Sequence, residues 1–287
     1  MKRLWFITNP NSGSSGASKA EAIEAAFAER GLRFVGRTDF PEHDLPTPGD
    51  LGCVGADTVV LFAGDGTINA AVCALADWDG AILILPGGTM NMLAKILHGD
   101  ADPATILAAA HDSDRRVALS YVEAGPHRAL VGLIVGPAAS WYHAREHVRE
   151  RSLGKLFPAI RAAWRRTFGR GIRLSGVPGF PPRVQGAYIR AEGDHLAVAT
   201  VDARDVRSIA DLGWNWVSGD WVAARAVTEM RADELRIAER HAVLALFDGE
   251  PELLDPGTRI GVGRTREQFV TTLEDTTLEG PTLEDKA

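Results

Sequence analysis

The stretch Val59-Val60-Leu61-Phe62-Ala63-Gly64-Asp65-Gly66-Thr67-Ile68-Asn69 constrains this chain more than any other. Four consecutive large apolar residues do not alternate between core and solvent, so Val59 to Phe62 reads as a strand buried on both faces. It runs straight into Gly64-Asp65-Gly66-Thr67, and a helix opens at Thr67 or just after. The glycines admit backbone angles closed to other residues and let the main chain approach a ligand. Thr67 is suited to cap the helix, whose free N–H groups favour an anionic phosphate. Asp65 places a carboxylate at the turn, fit for a magnesium ion, a shared water or a hydroxyl proton. Taken alone, the stretch is equally an ordinary strand-to-helix turn with a capping Asp.

Its neighbours shift that balance. Arg3 to Thr8 reads as a strand ending in the small, polar loop Asn9-Pro10-Asn11-Ser12-Gly13-Ser14-Ser15-Gly16. A helix follows over Ala17 to Arg30, with Ala22, Ile23, Ala26 and Phe27 at core-facing spacing and Gly31 as its stop. Leu32 to Arg37 is a second strand leading to Thr38-Asp39, and Pro41 to Asp50 is loop with room for a short helix after it. Beyond the central strand and its helix, Ala81 to Leu85 is another wholly apolar strand. It ends in Pro86-Gly87-Gly88-Thr89-Met90-Asn91, with a helix to about Leu97. Apolar strands alternating with helices define a parallel sheet covered on both faces. Three strand-to-helix loops, 9–16, 63–69 and 86–91, therefore gather at the carboxyl ends of the strands, where open parallel sheets bind ligands. Together they favour a phosphate or nucleotide site, and none fits the P-loop pattern.

At these residues the chain resembles the diacylglycerol kinase catalytic-domain family, which includes bacterial soluble lipid kinases and the sphingosine and ceramide kinases. The signatures are Asn9-Pro10-Asn11-Ser12-Gly13, Gly64-Asp65-Gly66-Thr67-Ile68-Asn69 and Gly88-Thr89-Met90-Asn91, with a fourth, Asp248-Gly249-Glu250, behind the apolar run Val243 to Phe247. The resemblance extends to about residue 270. It implies that Asn9, Pro10, Asn11, Ser12, Gly13, Thr38, Ala63, Gly64, Asp65, Gly66, Thr67, Ile68, Asn69, Gly88 and Thr89 surround ATP, with Mg²⁺ as the second cofactor. It also implies an acidic centre at Glu250, with Asp248 beside it, that takes the proton from a lipid hydroxyl. Family branches divide that role differently among Asp65, Asp248 and Glu250; the reading taken is Glu250 as base, with the other two as metal or orienting groups. Phosphoryl transfer needs positioning and neutralised phosphate charge, then one carboxylate within reach of the acceptor hydroxyl. Without the upstream loops, Asp248-Gly249-Glu250 would read as a plain hairpin turn. The chain departs from the family at Met92, where many members carry Asp, and at Ala63, where a third glycine is common. Members often hold a structural magnesium in the second domain; Ser218-Gly219-Asp220 is the nearest candidate, without a clean alignment, so no metal ligand is assigned.

From about Tyr121 the pattern changes to short apolar runs at 115–123, 129–135, 171–176, 184–191, 196–201, 221–229 and 241–247. Such spacing reads as an antiparallel sandwich or barrel. The expected fold is thus α/β plus β: an N-terminal α/β nucleotide-binding domain with a parallel sheet over 1–120 and an antiparallel β-sandwich, lipid-binding domain over 121–268. The family layout puts the active site in the cleft between them. The Thr-Leu-Glu repeats of 269–287 read as an acidic, disordered tail.

Charge bounds the partners. Net charge is −7, which excludes nucleic acid as the main partner. Between Trp141 and Arg173, however, nine basic residues face only Glu146 and Glu150, so this segment carries +7 and the remainder −14. Within it Leu156, Phe157, Ile160, Trp164 and Phe168 recur at three- and four-residue spacing. Two readings stand: a helix packed on the sandwich with its arginines in solvent, slightly preferred, or an interfacial helix on anionic lipid at the inner membrane face. Trp214, Trp216 and Trp221 are either core or an acyl-pocket lining, and the histidines, His143 and His147 included, show no zinc-ligand set. Two cysteines, Cys53 and Cys73, suit a reducing cytoplasm, and no segment reads as a signal peptide or membrane span.

The activity expected is transfer of the γ-phosphate of ATP to the hydroxyl of a diacylglycerol-like or sphingoid-like alcohol. The alternatives are an NAD kinase-like enzyme with a soluble substrate, and a catalytically silent nucleotide- or lipid-binding regulator, which Met92 suggests. The sequence leaves a homodimer open.

Overall fold

In a computed structural model of the 287-residue chain, residues 1–10, 17–88, 91–113, 115–136, 171–177, 181–201 and 227–273 are described. Basic residues 141–170, the tryptophan cluster 214–221 with Ser218-Gly219-Asp220, and the tail beyond 273 lie outside them. The chain divides into two compact units, Met1–Leu119 with the stretch from Arg264 onward, and Ser120–Gly263.

The first unit runs β1 (Arg3–Thr8), α1 (Ala17–Glu29), β2 (Arg33–Asp39), α2 (Pro48–Val54), β3 (Thr58–Ala63), α3 (Asp65–Ala74), β4 (Ala81–Pro86), α4 (Met92–His98), α5 (Pro103–Ser113) and β5 (Arg116–Val117). All six residues of β3 are buried, as an apolar run without alternation requires. Leu4, Phe6, Val60, Phe62, Leu83 and Leu85 share one core with Ile23 and Phe27 of α1 and Ile106 and Leu107 of α5. The intervening Ile7, Val59, Leu61, Ile82 and Ile84 point to the opposite face and are buried too, so the sheet is covered on both sides. The short helix α2 forms because its ends are satisfied. Thr47 and Asp50 cap each other's backbone N–H groups, Pro48 opens the helix, and Gly55 closes it at φ 61°.

The second unit runs β6 (Ser120–Ala124), β7 (His127–Ala129), β8 (Leu133–Val135), β9 (Leu174–Ser175), β10 (Gly186–Glu192), β11 (His195–Val201), β12 (Val227–Ala232), β13 (Leu235–Ile237), β14 (Val243–Phe247), β15 (Glu250–Leu254) and β16 (Arg259–Arg264). Its strands form two sheets, ordered β12-β11-β10-β8-β14-β15 and β7-β6-β16-β13-β9. Val122, Leu235 and Ile260 from one sheet share a core with Val135, Ile189, Val198 and Ala245 from the other, which makes the unit a β-sandwich. The expected two-part α/β plus β architecture is the one found.

Three details of the first unit differ from the sequence reading. Helix α5 occupies residues the sequence reading left unassigned before residue 115, helix α3 starts two residues before Thr67, and a final strand, β17 (Gln268–Val270), lies in the first unit's sheet. The full order there is β2-β1-β3-β4-β17-β5, with β17 parallel to β4 and β5 antiparallel to β17. Residues 269 and 270, assigned by sequence to a disordered tail, are Phe and Val with no solvent exposure. A three-residue strand carries too little periodicity to be read from sequence. Beyond it, Thr271 Oγ1 and the Thr272 amide both donate to the Leu97 carbonyl and finish α4.

His98, the last residue of α4, lies in this junction with its Nδ1 3.2 Å from the Thr272 hydroxyl. Burial holds its imidazole down at about 4 from the usual 6.5, with the Ile84 carbonyl pulling partly back. The unfolded chain therefore takes up a proton below 6.5 that the folded chain refuses, and the folded state loses stability as pH falls through that window, by about 1.4 kcal/mol per pH unit. Urea unfolding of the wild type should show this component between about pH 6.5 and 4, and His98→Leu should lack it; parallel pH slopes would refute it.

Candidate active site

The first unit's sheet order reverses at β1, whose neighbours are β2 on one side and β3 on the other. Ligands of open parallel sheets bind at such a switch point, beyond the carboxyl ends of the strands. Asn9 follows β1, and its Nδ2 donates to Thr67 Oγ1 in the first turn of α3 at 2.9 Å. This bond spans the switch between the loop after β1 and the loop after β3.

The loops after β3 and β4 meet main chain to main chain. A Cβ at position 87 would lie 2.7 Å from the Ala63 nitrogen, and one at position 88 would lie 2.7 Å from Gly64 Cα. Neither contact leaves room for a side chain, so here glycine serves loop packing rather than conformational freedom. Asn91 stands at φ 51°, and its Oδ1 accepts from the Gly88 N–H at 2.6 Å while its Nδ2 donates to the Gly88 carbonyl at 3.0 Å. Asn tolerates this left-handed backbone better than most residues.

Helix α3 begins at Asp65 with Gly64 at its N-cap and no side-chain cap, which corrects the expectation that Thr67 caps it. The reason is plain in the contacts: Thr67 sits one turn in, where its hydroxyl accepts from Asn9. Gly64 at the N-cap thus offers no side chain to the first-turn amides of α3. Asp65 Oδ1 accepts from the Met92 amide at 2.8 Å and so ties the loop after β3 to the start of α4. Burial pushes its carboxyl up from the ordinary value, while the amides of Met92, Asn91 and Leu93 push it down.

The remaining candidates fall around these. Thr38, near the end of β2, is buried and accepts from the Trp5 indole at 3.0 Å. Ala63 and Ile68 are buried, Pro10 is exposed, and Gly66 and Asn69 are half-buried. Asn11, Ser12, Gly13 and Thr89 lie outside the described residues.

In the second unit, Asp248 and Gly249 form the two-residue turn between β14 and β15, at φ 50° and 98°. Both angles are positive, as the tight hairpin turn favoured by Asp-Gly demands. The Asp248 carboxylate accepts three amides, from Leu130, Val131 and Gly132, at 2.8, 2.8 and 2.9 Å. Glu250 follows as the first residue of β15, exposed and without a side-chain partner among the described residues. Near Asp248, burial raises the Tyr188 phenol; Arg190 lowers it and Asp248 adds to the rise.

Residues 87 and 91 and the loop 130–132 are structural parts the candidate set omitted. The Gly-Gly pair and an Asn three residues after Gly88 were the available signal for the first two; nothing local marks the third.

Two compact units, a parallel α/β sheet with glycine-rich loops gathered at its switch point and an antiparallel sandwich, define the class. Residues 3–122 match the family model of the diacylglycerol kinase catalytic domain. Over 116 residues the chain is 31% identical to a Streptococcus pneumoniae protein provisionally named a lipid kinase. That match spans 36% of this chain and 36% of the relative, about a third of its length. The fold matches two crystal structures from Bacillus anthracis str. Sterne, one described as a diacylglycerol kinase and one provisionally so. Their TM-scores are 0.65 and 0.67, at 12% and 13% identity, over 96% of this chain and 98% of each of theirs.

The three amide bonds of Asp248 make it an anchor whose removal leaves three partly buried N–H groups without that acceptor. Asp248→Ala should cost on the order of 3 kcal/mol in urea unfolding, whereas Glu250→Gln should stay within about 0.5 kcal/mol of wild type. Equal losses from the two would contradict this division.

Proposed function

We propose that the chain is an ATP-dependent lipid kinase transferring the γ-phosphate to the hydroxyl of a diacylglycerol-like or sphingoid-like lipid. One observation carries the reading: the loops after β1, β3 and β4 are locked together at the sheet's switch point, beside a helix start without a side-chain cap. Backbone amides in that position suit the phosphates of a nucleotide.

Asp65 is the only carboxylate in these three loops, and with its half-buried oxygens it is the side chain that would face a magnesium ion held on the phosphates. Magnesium, when bound, neutralises phosphate charge during transfer. Asp65 is also the strut that sets the start of α4.

Glu250 acts as the base. Of the three candidate carboxylates it alone is exposed and uncommitted among the described residues, whereas Asp65 and Asp248 hold backbone amides. Its carboxylate takes the hydroxyl proton as the lipid oxygen bonds to the γ-phosphorus and the bond to the ADP oxygen breaks. Asp248 fixes the turn from which Glu250 projects. The +7 charge of segment 141–173 supports peripheral contact with an anionic membrane from the cytoplasmic side.

Met92 favours one second reading, a silent regulator that binds nucleotide without turning it over. It stands where many family members have Asp, and its side chain is 36% exposed. Transfer of labelled γ-phosphate from Mg-ATP to micellar lipid alcohols, with NAD as soluble control, separates the readings. Label should enter the organic phase and fall by at least about a hundredfold in Glu250→Gln, with ATP binding retained. ATP binding with no transfer to any acceptor would establish the regulator, and label on NAD alone would establish a soluble-substrate kinase.

A further inference from the structure

Trp5 lies on β1 in register with Gly36 on β2. A Cβ at position 36 would sit 2.3 Å from two carbons of the Trp5 ring, so the indole rests directly on the β2 backbone. Thr38, two residues further along β2, is on the same face as Gly36. Across that short span the indole Nε1 reaches Thr38 Oγ1 at 3.0 Å.

The direction of this bond has a consequence for the hydroxyl. An indole N–H only donates, so Thr38 accepts with one lone pair and its own hydrogen turns away from the ring. Thr38 is 3% exposed, and among the described residues nothing accepts that hydrogen. A buried donor without an acceptor is costly, so the arrangement calls for an acceptor atom from outside the described set. Thr38 pairs with Ile7, one residue before β1 ends and its loop begins, at the rim where the ligand-binding loops emerge.

We infer that Trp5 is a positioning residue for the nucleotide: it orients the Thr38 hydroxyl so that its hydrogen is donated to a nitrogen or oxygen acceptor of ATP. Gly36 is part of the device, because only there can the ring lie flat enough to reach. This rests on the proposal that the first unit binds ATP.

Steady-state kinetics on the full chain test it, with Trp5→Phe keeping an aromatic ring on the Gly36 backbone and removing the N–H. The expected result is a KM for ATP raised about five- to tenfold with kcat within about twofold of wild type. Thr38→Val should do the same, the double variant should be no worse than either single, and Thr38→Ser should stay near wild type. A role in packing alone would lower thermal stability without this KM-against-kcat split. An unchanged KM in Trp5→Phe, or fully additive effects in the double variant, overturns the inference while leaving the kinase standing. Wild-type protein that neither binds ATP by calorimetry nor turns it over overturns both.

Discussion

Main chain against main chain, with no side chain between, is the contact on which the loops at the carboxyl ends of the first unit's strands depend. Loops 63–64 and 87–88 approach to within the space a methyl group would fill. Once they touch, the other constraints follow from geometry. Asn91 takes a left-handed backbone to bond both polar groups of Gly88, and α4 can begin beside it. Asp65 then finds the Met92 amide within reach, and Asn9 closes the arrangement from the β1 side through Thr67. Protein interiors are close-packed, so such a contact tolerates no partial version.

The two units use carboxylates in the same way, as receptors for backbone amides. Asp248 accepts three amides from a loop more than a hundred residues earlier in the chain, and Asp65 binds a helix start 27 residues later. Each is thereby fixed in place by groups that cannot move without the fold. Charged hydrogen bonds of this kind are stronger than neutral ones, which suits them to hold turns at positive φ that would otherwise be strained. The Glu250 side chain has no such tether among the described residues, which is the difference on which the proposed division of roles rests.

Much of the first unit was legible in the sequence because β3 and β4 are uninterrupted apolar runs that lead into glycine and β1 carries a central apolar run. β1, β3 and β4 begin and end within a residue of the expected bounds. Helix α5 was passed over although Asp102 before Pro103 is a helix-start signal and Ile106, Leu107 and Ala110 have core spacing. Thr67 looked like a cap because threonines often are; its hydroxyl went to a partner 58 residues away that no local rule reveals. The same holds for Asp248, whose turn was readable from Asp-Gly but whose three amide partners were not. β15 was missed because Glu250-Pro251-Glu252 opens an edge strand with exposed, charged residues, where the periodic apolar signal is weakest.

The return of the chain at β17 makes the sandwich an insertion within the first unit rather than a domain appended to it. The stretch that carries the family resemblance, 3–122, contains neither Phe269 nor Val270, although both are wholly buried in its sheet. In that sheet β17 stands between β4 and β5, so β5 joins only through it. A fragment ending at 122 would therefore uncover the Ala81–Ile82 end of β4, where β17 pairs, as a template for pairing with other chains. The integrity of the first unit is thus encoded at two places nearly 150 residues apart, and synthesis of its sheet is complete only after the entire second unit has been made.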